Sequence, residues 1–227
     1  MIIAIDGPAA AGKGTLAQNL AKHFSYAFLD TGRLYRAVGY AVLQAGADPS
    51  DEAAAAKQAR AFDPKSINQI LSNPALRDEA TGNAASKVAA IPAVREALLQ
   101  LQRDFAEHPF FEDGTPAKGA VLDGRDIGTV VCPSADVKFF VTASAEVRAQ
   151  RRFDELKAKN MPADYEDILR NVKERDYIDS HRSVAPLRQA DDAIVLDNSC
   201  LTIAQQREWL RSKFAEKVEQ KNSPSAC

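Results

Sequence analysis

One seven-residue window, Gly7-Pro8-Ala9-Ala10-Ala11-Gly12-Lys13, constrains this chain more than any other part of it. It follows the short apolar run Ile2-Ile3-Ala4-Ile5 and precedes Leu16, Ala17, Leu20 and Phe24, which recur at helical spacing. The order strand, glycine-bearing turn, helix brings consecutive backbone N–H groups and the positive end of a helix to one place, where an anion is held. The pattern G-x-x-x-x-G-K adds Lys13, which reaches the outer phosphates of such an anion. Gly14 stands where the common form of the pattern has a hydroxyl residue, with Thr15 after it. A metal ion at this cradle is then held mainly by phosphates and water. Ala9, Ala10 and Ala11 are small enough to let a ligand approach, but a positive φ at Ala10 would cost what glycine avoids.

The alternation continues along the chain. Tyr26-Ala27-Phe28-Leu29 ends at Asp30-Thr31-Gly32, and Leu34, Val38, Ala41 and Val42 then mark a helix that Gly46 stops. Ala120-Val121-Leu122, Val137 to Val141 and Ala193 to Leu196 read as three further strands. Pro92 suits the first turn of a helix carrying Val94, Ala97, Leu98, Leu101 and Phe105 on one face, and Leu201 to Val218 reads as the last helix. Strands alternating with helices predict an α/β fold: a parallel five-stranded sheet covered by helices on both faces, with the ligand at the carboxyl ends of its strands.

Between Ala47 and Ile91 the pattern loosens. Asp48-Pro49-Ser50, Asp63-Pro64, Asn73-Pro74 and Thr81-Gly82-Asn83 are turn signals around short apolar pieces, which reads as an inserted small substructure. Ala145 to Arg182 is highly charged and helical in pattern, broken at Asn160-Met161-Pro162, and is expected to be a mobile, solvated lobe. Glu107 to Ala120 reads as an extended loop and Asn222 to Cys227 as a frayed tail. The expected organisation is a single domain over 1–227, with its core at 1–50, 92–147 and 184–227, the insert at about 51–91 and the lobe at about 148–183.

Composition narrows the function. A net charge of -2 over 227 residues argues against a general nucleic-acid binder, so any basic site is local. Cys132, Cys200 and Cys227 are odd in number, scattered and without a CxxC or Cys/His metal spacing, so no disulfide framework or zinc site is expected, and no run approaches a membrane span, so a cytoplasmic protein is expected. Arg36 and Arg125 follow strand ends beside short glycine-bearing segments, while Arg148, Arg151, Arg152, Arg175, Arg182 and Arg188 lie in or near the charged lobe. Guanidinium groups grip phosphate in two places, although those of the lobe have abundant carboxylates to pair with instead. A phosphate acceptor, largely dianionic at neutral pH, requires no general base. A hydroxyl acceptor would make Asp30, Asp123 or Asp126 the base.

The ending G-K-G-T resembles the nucleoside monophosphate kinases, adenylate kinase among them. Taken in order, IDGPAAAGKGT, LDTGRLYRAV, NAASKVAAIPAVREAL, LDGRDIGTVV, KERDYIDSHRSVAPL and DDAIVLDNS resemble bacterial cytidylate kinase from residue 2 to about 200. The resemblance implies transfer of the ATP γ-phosphate to CMP or dCMP with Mg²⁺, on a P-loop kinase core with a small monophosphate-binding insert and a helical lid that closes. Gly7, Pro8, Ala9, Ala10, Ala11, Gly12, Lys13, Gly14 and Thr15 would hold ATP, joined by Arg151, with Lys13, Arg125, Arg148 and Arg152 acting in transfer. Ser86, Arg95 and Asp126 match positions that read the cytosine edge; Arg36, Arg125 and Arg182 match the grip on the acceptor phosphate; Arg175 and Asp179 match pentose contacts. Thr31 and Tyr35 complete the CMP set. The segment from Ala61 to Asn83 departs from the family, which often shows a fuller small sheet there, so a reduced insert is expected. A monomer without nucleic-acid or membrane partners is expected. The rivals are a kinase for UMP, AMP or dTMP and, from another class, a non-catalytic nucleotide-binding switch.

Overall fold

The structure, a computed structural model, describes residues 1–62 and 67–222. The turn expected at Asp63-Pro64 and the tail residues 223–227 lie outside the described residues. Five strands, β1 (Ile2–Asp6), β2 (Ala27–Asp30), β3 (Ala120–Gly124), β4 (Val137–Thr142) and β5 (Ile194–Asp197), form one sheet in the order β2-β3-β1-β4-β5. Every pairing is parallel. The two-residue period of a strand divides the core. Ile3, Ile5 and Val121 point to one face, where Leu16 and Leu20 of α1 (Lys13–Phe24) and Leu210 and Phe214 of α9 (Ile203–Asn222) cover them. Ala4, Ala120 and Leu122 point to the other, under Leu34 and Val38 of α2 (Thr31–Gln44) and Leu98 of α6 (Pro92–Glu107).

The expected sheet and its two helical covers are therefore present. The insert differs from its turn signals. It holds α3 (Glu52–Arg60), α4 (Ile67–Ser72), a 3-10 turn at Pro74–Arg77 and α5 (Glu79–Val88), with no strand among the described residues of 51–91. Asn73-Pro74 does begin a turn, the Asn73 side chain accepting from the Ala75 N–H at 3.0 Å. Thr81-Gly82-Asn83, read as a turn, lies instead inside α5. The reason is tertiary: a Cβ on Gly39 of α2 would sit 2.9 Å from the Ala85 nitrogen. The two helices meet backbone to backbone there, and small residues on α5 serve that approach rather than a chain reversal.

The charged segment folds as α7 (Ala145–Ala158) and α8 (Tyr165–His181), capped by Ser144 and Asp164 and separated where Asn160 takes a φ of 54°. Leu156 and Val172 are buried between the elements, and Phe153 meets Tyr165 edge-on. From 108 to 119 the chain is a loop held by an antiparallel bridge between Phe110 and Pro116. Cys132 and Cys200 are free. Among the described residues no helix is long and apolar enough to cross a membrane.

Candidate functional site

A cavity of about 460 Å³ opens at the carboxyl ends of the strands, between the Gly7–Lys13 turn, the starts of α2 and α5, the exit of β3 and the inner face of α8. Its wall includes Ala9, Ala10, Ala11, Gly12, Lys13, Gly14 and Thr15. Gly7 and Pro8 stand behind that wall. A Cβ on Gly7 (φ 146°) would lie 1.9 Å from the Val141 carbonyl oxygen, so β1 and β4 could not run together with any other residue there. Ala10 has the positive φ, 60°, that its sequence position made a concern, and Gly12 has 83°. Left-handed residues within a turn curl the backbone so that its N–H groups face one concavity, an anion-binding nest.

Lys13 is buried and donates to the Pro8 carbonyl at 3.0 Å, with its Nζ 3.7 Å from Asp123 Oδ1. Burial, and after it the Arg125 charge, brings its pKa down to about 8, against the pull of Asp123 and Asp30. Asp123 is pushed the other way, to about 6, chiefly by its own burial. Its Oδ1 has no hydrogen-bond partner. Asp30 is its direct neighbour across the β2–β3 ladder. A polyanion and a cation brought together beside these groups would favour the charged forms of both.

On the opposite wall, the residues expected to read a base and hold a phosphate converge. Arg95 is paired with Asp126 through Nη2 and Oδ2, and its guanidinium lies 5.4 Å from the centroid of the Tyr35 ring. Arg182 Nη2 is 3.7 Å from Asp126 Oδ1 and has no hydrogen-bond partner. Arg125 Nε donates to Asp179 Oδ2 at 2.8 Å. Burial, then the Arg125 charge, lowers the Arg175 pKa to about 10, and its buried Nε is likewise without a partner. Arg175 and Arg182 both line the cavity and bring to it positive charge that a bound anion would neutralise. Arg36 also lines the cavity, although its Nη1 donates to the carbonyls of Leu76 (2.8 Å) and Asp78 (3.3 Å) and so braces the insert. Thr31 donates to the Asp123 carbonyl at 2.8 Å, and Ser86 bonds back to the Gly82 carbonyl at 3.3 Å while facing the cavity. Lys13, Arg36, Arg125 and Arg182, from four separate parts of the chain, thus share one space.

The three arginines of α7 have different positions. Arg152 lines the cavity, donating to Glu155 at 2.8 Å. Arg148 is 4% exposed and stands behind the cradle, its fork on Asp176 (2.5 and 2.8 Å) and its Nη1 also on the Ala9 carbonyl at 3.1 Å. Arg151 lies outside the wall, donating to the side-chain and backbone oxygens of Asn198 at 2.8 and 2.7 Å.

Two contributors had no separate sequence signal. Asp6, 5% exposed, accepts from the N–H groups of Ile127 (2.8 Å) and Gly128 (2.7 Å) and so holds the turn that carries Arg125 and Asp126. Burial drives its pKa up to about 6 despite those two bonds. Arg77, on the insert, adds a further cation to the cavity wall. Adjacency to the cradle motif was the only available pointer to Asp6, and a single arginine after a proline turn carries none.

A model of the cytidylate kinase family matches residues 3–215. The chain is 58% identical over 205 residues to a protein named cytidylate kinase from Rhodospirillum rubrum, covering 90% of this chain and 92% of that one. A protein of the same name from Rhodopseudomonas palustris is 56% identical over 203 residues, covering 89% and 90%. Among solved structures, an uncharacterized protein from Eubacterium ventriosum superposes with a TM-score of 0.52 at 15% identity, over 95% of this chain and 98% of its own, a likeness of fold alone.

Proposed function

This chain belongs to the cytidylate kinase family, and on that premise we propose that it transfers the γ-phosphate of ATP to CMP or dCMP, giving ADP and CDP or dCDP, within pyrimidine nucleotide metabolism. The observation that carries the reading is the Arg95–Asp126 pair lining the same cavity as the cationic side chains of Arg175 and Arg182. Cytosine offers an amino donor beside a ring-nitrogen and carbonyl acceptor pair, to which a carboxylate and a guanidinium are complementary. Ser86 and Tyr35 complete the base pocket, Arg175 and Asp179 serve the pentose, and Thr31, Arg36, Arg125 and Arg182 serve the acceptor phosphate.

On the donor side, Gly7 to Thr15 cradle ATP and Lys13 follows the moving phosphoryl group. Arg125 and Arg152 neutralise charge on that group, and Arg148 and Arg151 support the cradle from behind. The acceptor oxygen is already anionic, so no side chain takes a proton from it. Mg²⁺, when bound to ATP, supplies charge neutralisation and alignment of the phosphates. The residues fit that ion: Asp123 Oδ1 is buried without a hydrogen-bond partner beside Asp30, and both carboxylates would accept hydrogen bonds from its water ligands. Among the described residues no group of three or more His, Cys, Asp or Glu side chains could hold a metal by itself. The segment at about 148–183 is the lid, the insert at about 51–91 bears the CMP side, and the enzyme works as a cytoplasmic monomer.

A screen of nucleoside monophosphates as acceptors from ATP, followed as ADP formed, tests this. CMP and dCMP are expected to lead. ATP hydrolysis indifferent to CMP, or a preference for AMP, overturns the assignment.

A further inference from the structure

Asn198 follows β5 directly, is fully buried, and has a partner for its side-chain oxygen and nitrogen alike. Its backbone N–H donates to the Thr142 carbonyl at the end of β4, 2.9 Å away. Its Oδ1 accepts from Arg151 at 2.8 Å, and its Nδ2 donates to the Ala11 carbonyl at 2.7 Å and to Gln206 Oε1 at 3.3 Å. Arg151 has only donors to offer, so the amide is oriented with its nitrogen toward Ala11. One side chain thereby joins the cradle, the lid helix α7 and the last helix α9.

The consequence lies in the peptide that follows Ala11. A trans peptide is planar, so its N–H points opposite to its C=O. Drawing the Ala11 carbonyl toward Asn198 turns the Gly12 N–H to the other side, on which Gly12 lines the cavity. Arg148 does the same one peptide pair earlier, holding the Ala9 carbonyl at 3.1 Å and so orienting the Ala10 N–H. The two residues that follow the held carbonyls, Ala10 and Gly12, both have positive φ, 60° and 83°. Donors fixed in this way do not have to reorient when a polyanion arrives, which favours binding.

We propose that Asn198 is a positioning residue for the donor polyphosphate: its amide holds the Ala11–Gly12 peptide in the anion-binding orientation and, through Arg151, ties that orientation to the lid helix. The proposal rests on the cradle being the ATP site. Asn198→Asp replaces the donor facing Ala11 by an acceptor while keeping a partner for Arg151; Asn198→Ser removes the reach to both at a small change in volume. Calorimetric titration of each variant with MgATP alone and with CMP alone, beside the steady-state KM for each, separates the two nucleotides. Asn198→Asp is expected to weaken ATP binding about tenfold, Asn198→Ser several-fold, with the CMP Kd within about twofold of wild type. A purely structural role would lower the thermal midpoint without separating ATP from CMP. Unchanged ATP affinity in either folded variant, or an equal loss for both nucleotides, overturns the proposal; should the Asp variant not fold, the Ser variant decides. A wild-type enzyme that binds ATP yet does not phosphorylate CMP would sink the functional reading instead.

Discussion

Removing the Asp126 carboxylate tests the base pocket and its energetics together. Asp126 is 4% exposed, pairs with Arg95, which is 7% exposed, and has Arg182 Nη2 at 3.7 Å. Asp126→Ala leaves two buried guanidinium groups facing each other, and burial together with the Arg95 charge already lowers the Arg182 pKa. Deleting one partner of a buried pair costs about 3–5 kcal/mol. At roughly 2–4 °C per kcal/mol for a domain of this size, the thermal midpoint should fall by about 6–20 °C. Arg95→Met costs less, because Asp126 keeps Arg182 and the methionine still covers the Tyr35 ring. The double variant removes one charge of each sign and should lose less than the two single variants together, with a coupling of about 1–3 kcal/mol. Thermal unfolding of the four proteins gives that coupling. An ADP-coupled assay should show the CMP-over-UMP preference narrowed about tenfold or more in both single variants, since each breaks the pair proposed to read the base. Additive losses of stability would show that the pair does not share its burial. An unchanged preference for CMP would remove both residues from base recognition.

Ala10→Gly relieves a left-handed alanine worth about 1–2 kcal/mol, offset by about 0.4–1 kcal/mol of added chain entropy, so the midpoint should rise by up to about 6 °C; a fall would refute the strain. Asp6→Asn can accept from only one of the Ile127 and Gly128 N–H groups, at a cost of about 1–3 kcal/mol, and should raise the CMP KM several-fold while leaving the ATP KM nearly unchanged. Asp6 and Asp123 both have pKa values raised to about 6 from 3.8, so the folded state binds more protons than the unfolded chain between those values. Their stabilising contribution is full below about pH 4 and is lost as pH rises through 6. The wild-type midpoint should therefore decline from pH 5 to pH 7, and Asp123→Asn should flatten that decline; an unaltered slope counts against the buried charge. The same variant should need several-fold more Mg²⁺ for half-maximal activity.

The sheet was legible because its signals are local and periodic. The unbroken apolar runs Ile2 to Ile5 and Ala120 to Leu122 mark strands buried on both faces, and the cradle motif fixes where a strand must yield to a helix. Parallel pairing then follows from the helices between strands, and with it the edge at which Asp6, Asp30, Gly124 and Thr142 end together. The candidate arginines were legible as a class, since only that side chain offers a permanently charged fork.

Which arginine does what was not legible. Arg148, Arg151 and Arg152 stand at i, i+3 and i+4 on one face of α7, yet one lines the cavity and two reach behind the cradle, because each is drawn to a different partner: Arg152 to Glu155, Arg151 to Asn198, and Arg148 to Asp176 with the Ala9 carbonyl. Thr81-Gly82-Asn83 has the composition of a turn and is helical because α2 comes within backbone contact. The roles of Asp6 and Asn198 depend on partners 121 to 187 positions away, which no local pattern encodes. The sequence alone settled the periodicities, and with them the layers, the cradle and the supply of charge. Only folding in three dimensions decided which charges meet, because burial and hydrogen bonding act between groups that the chain brings together from afar.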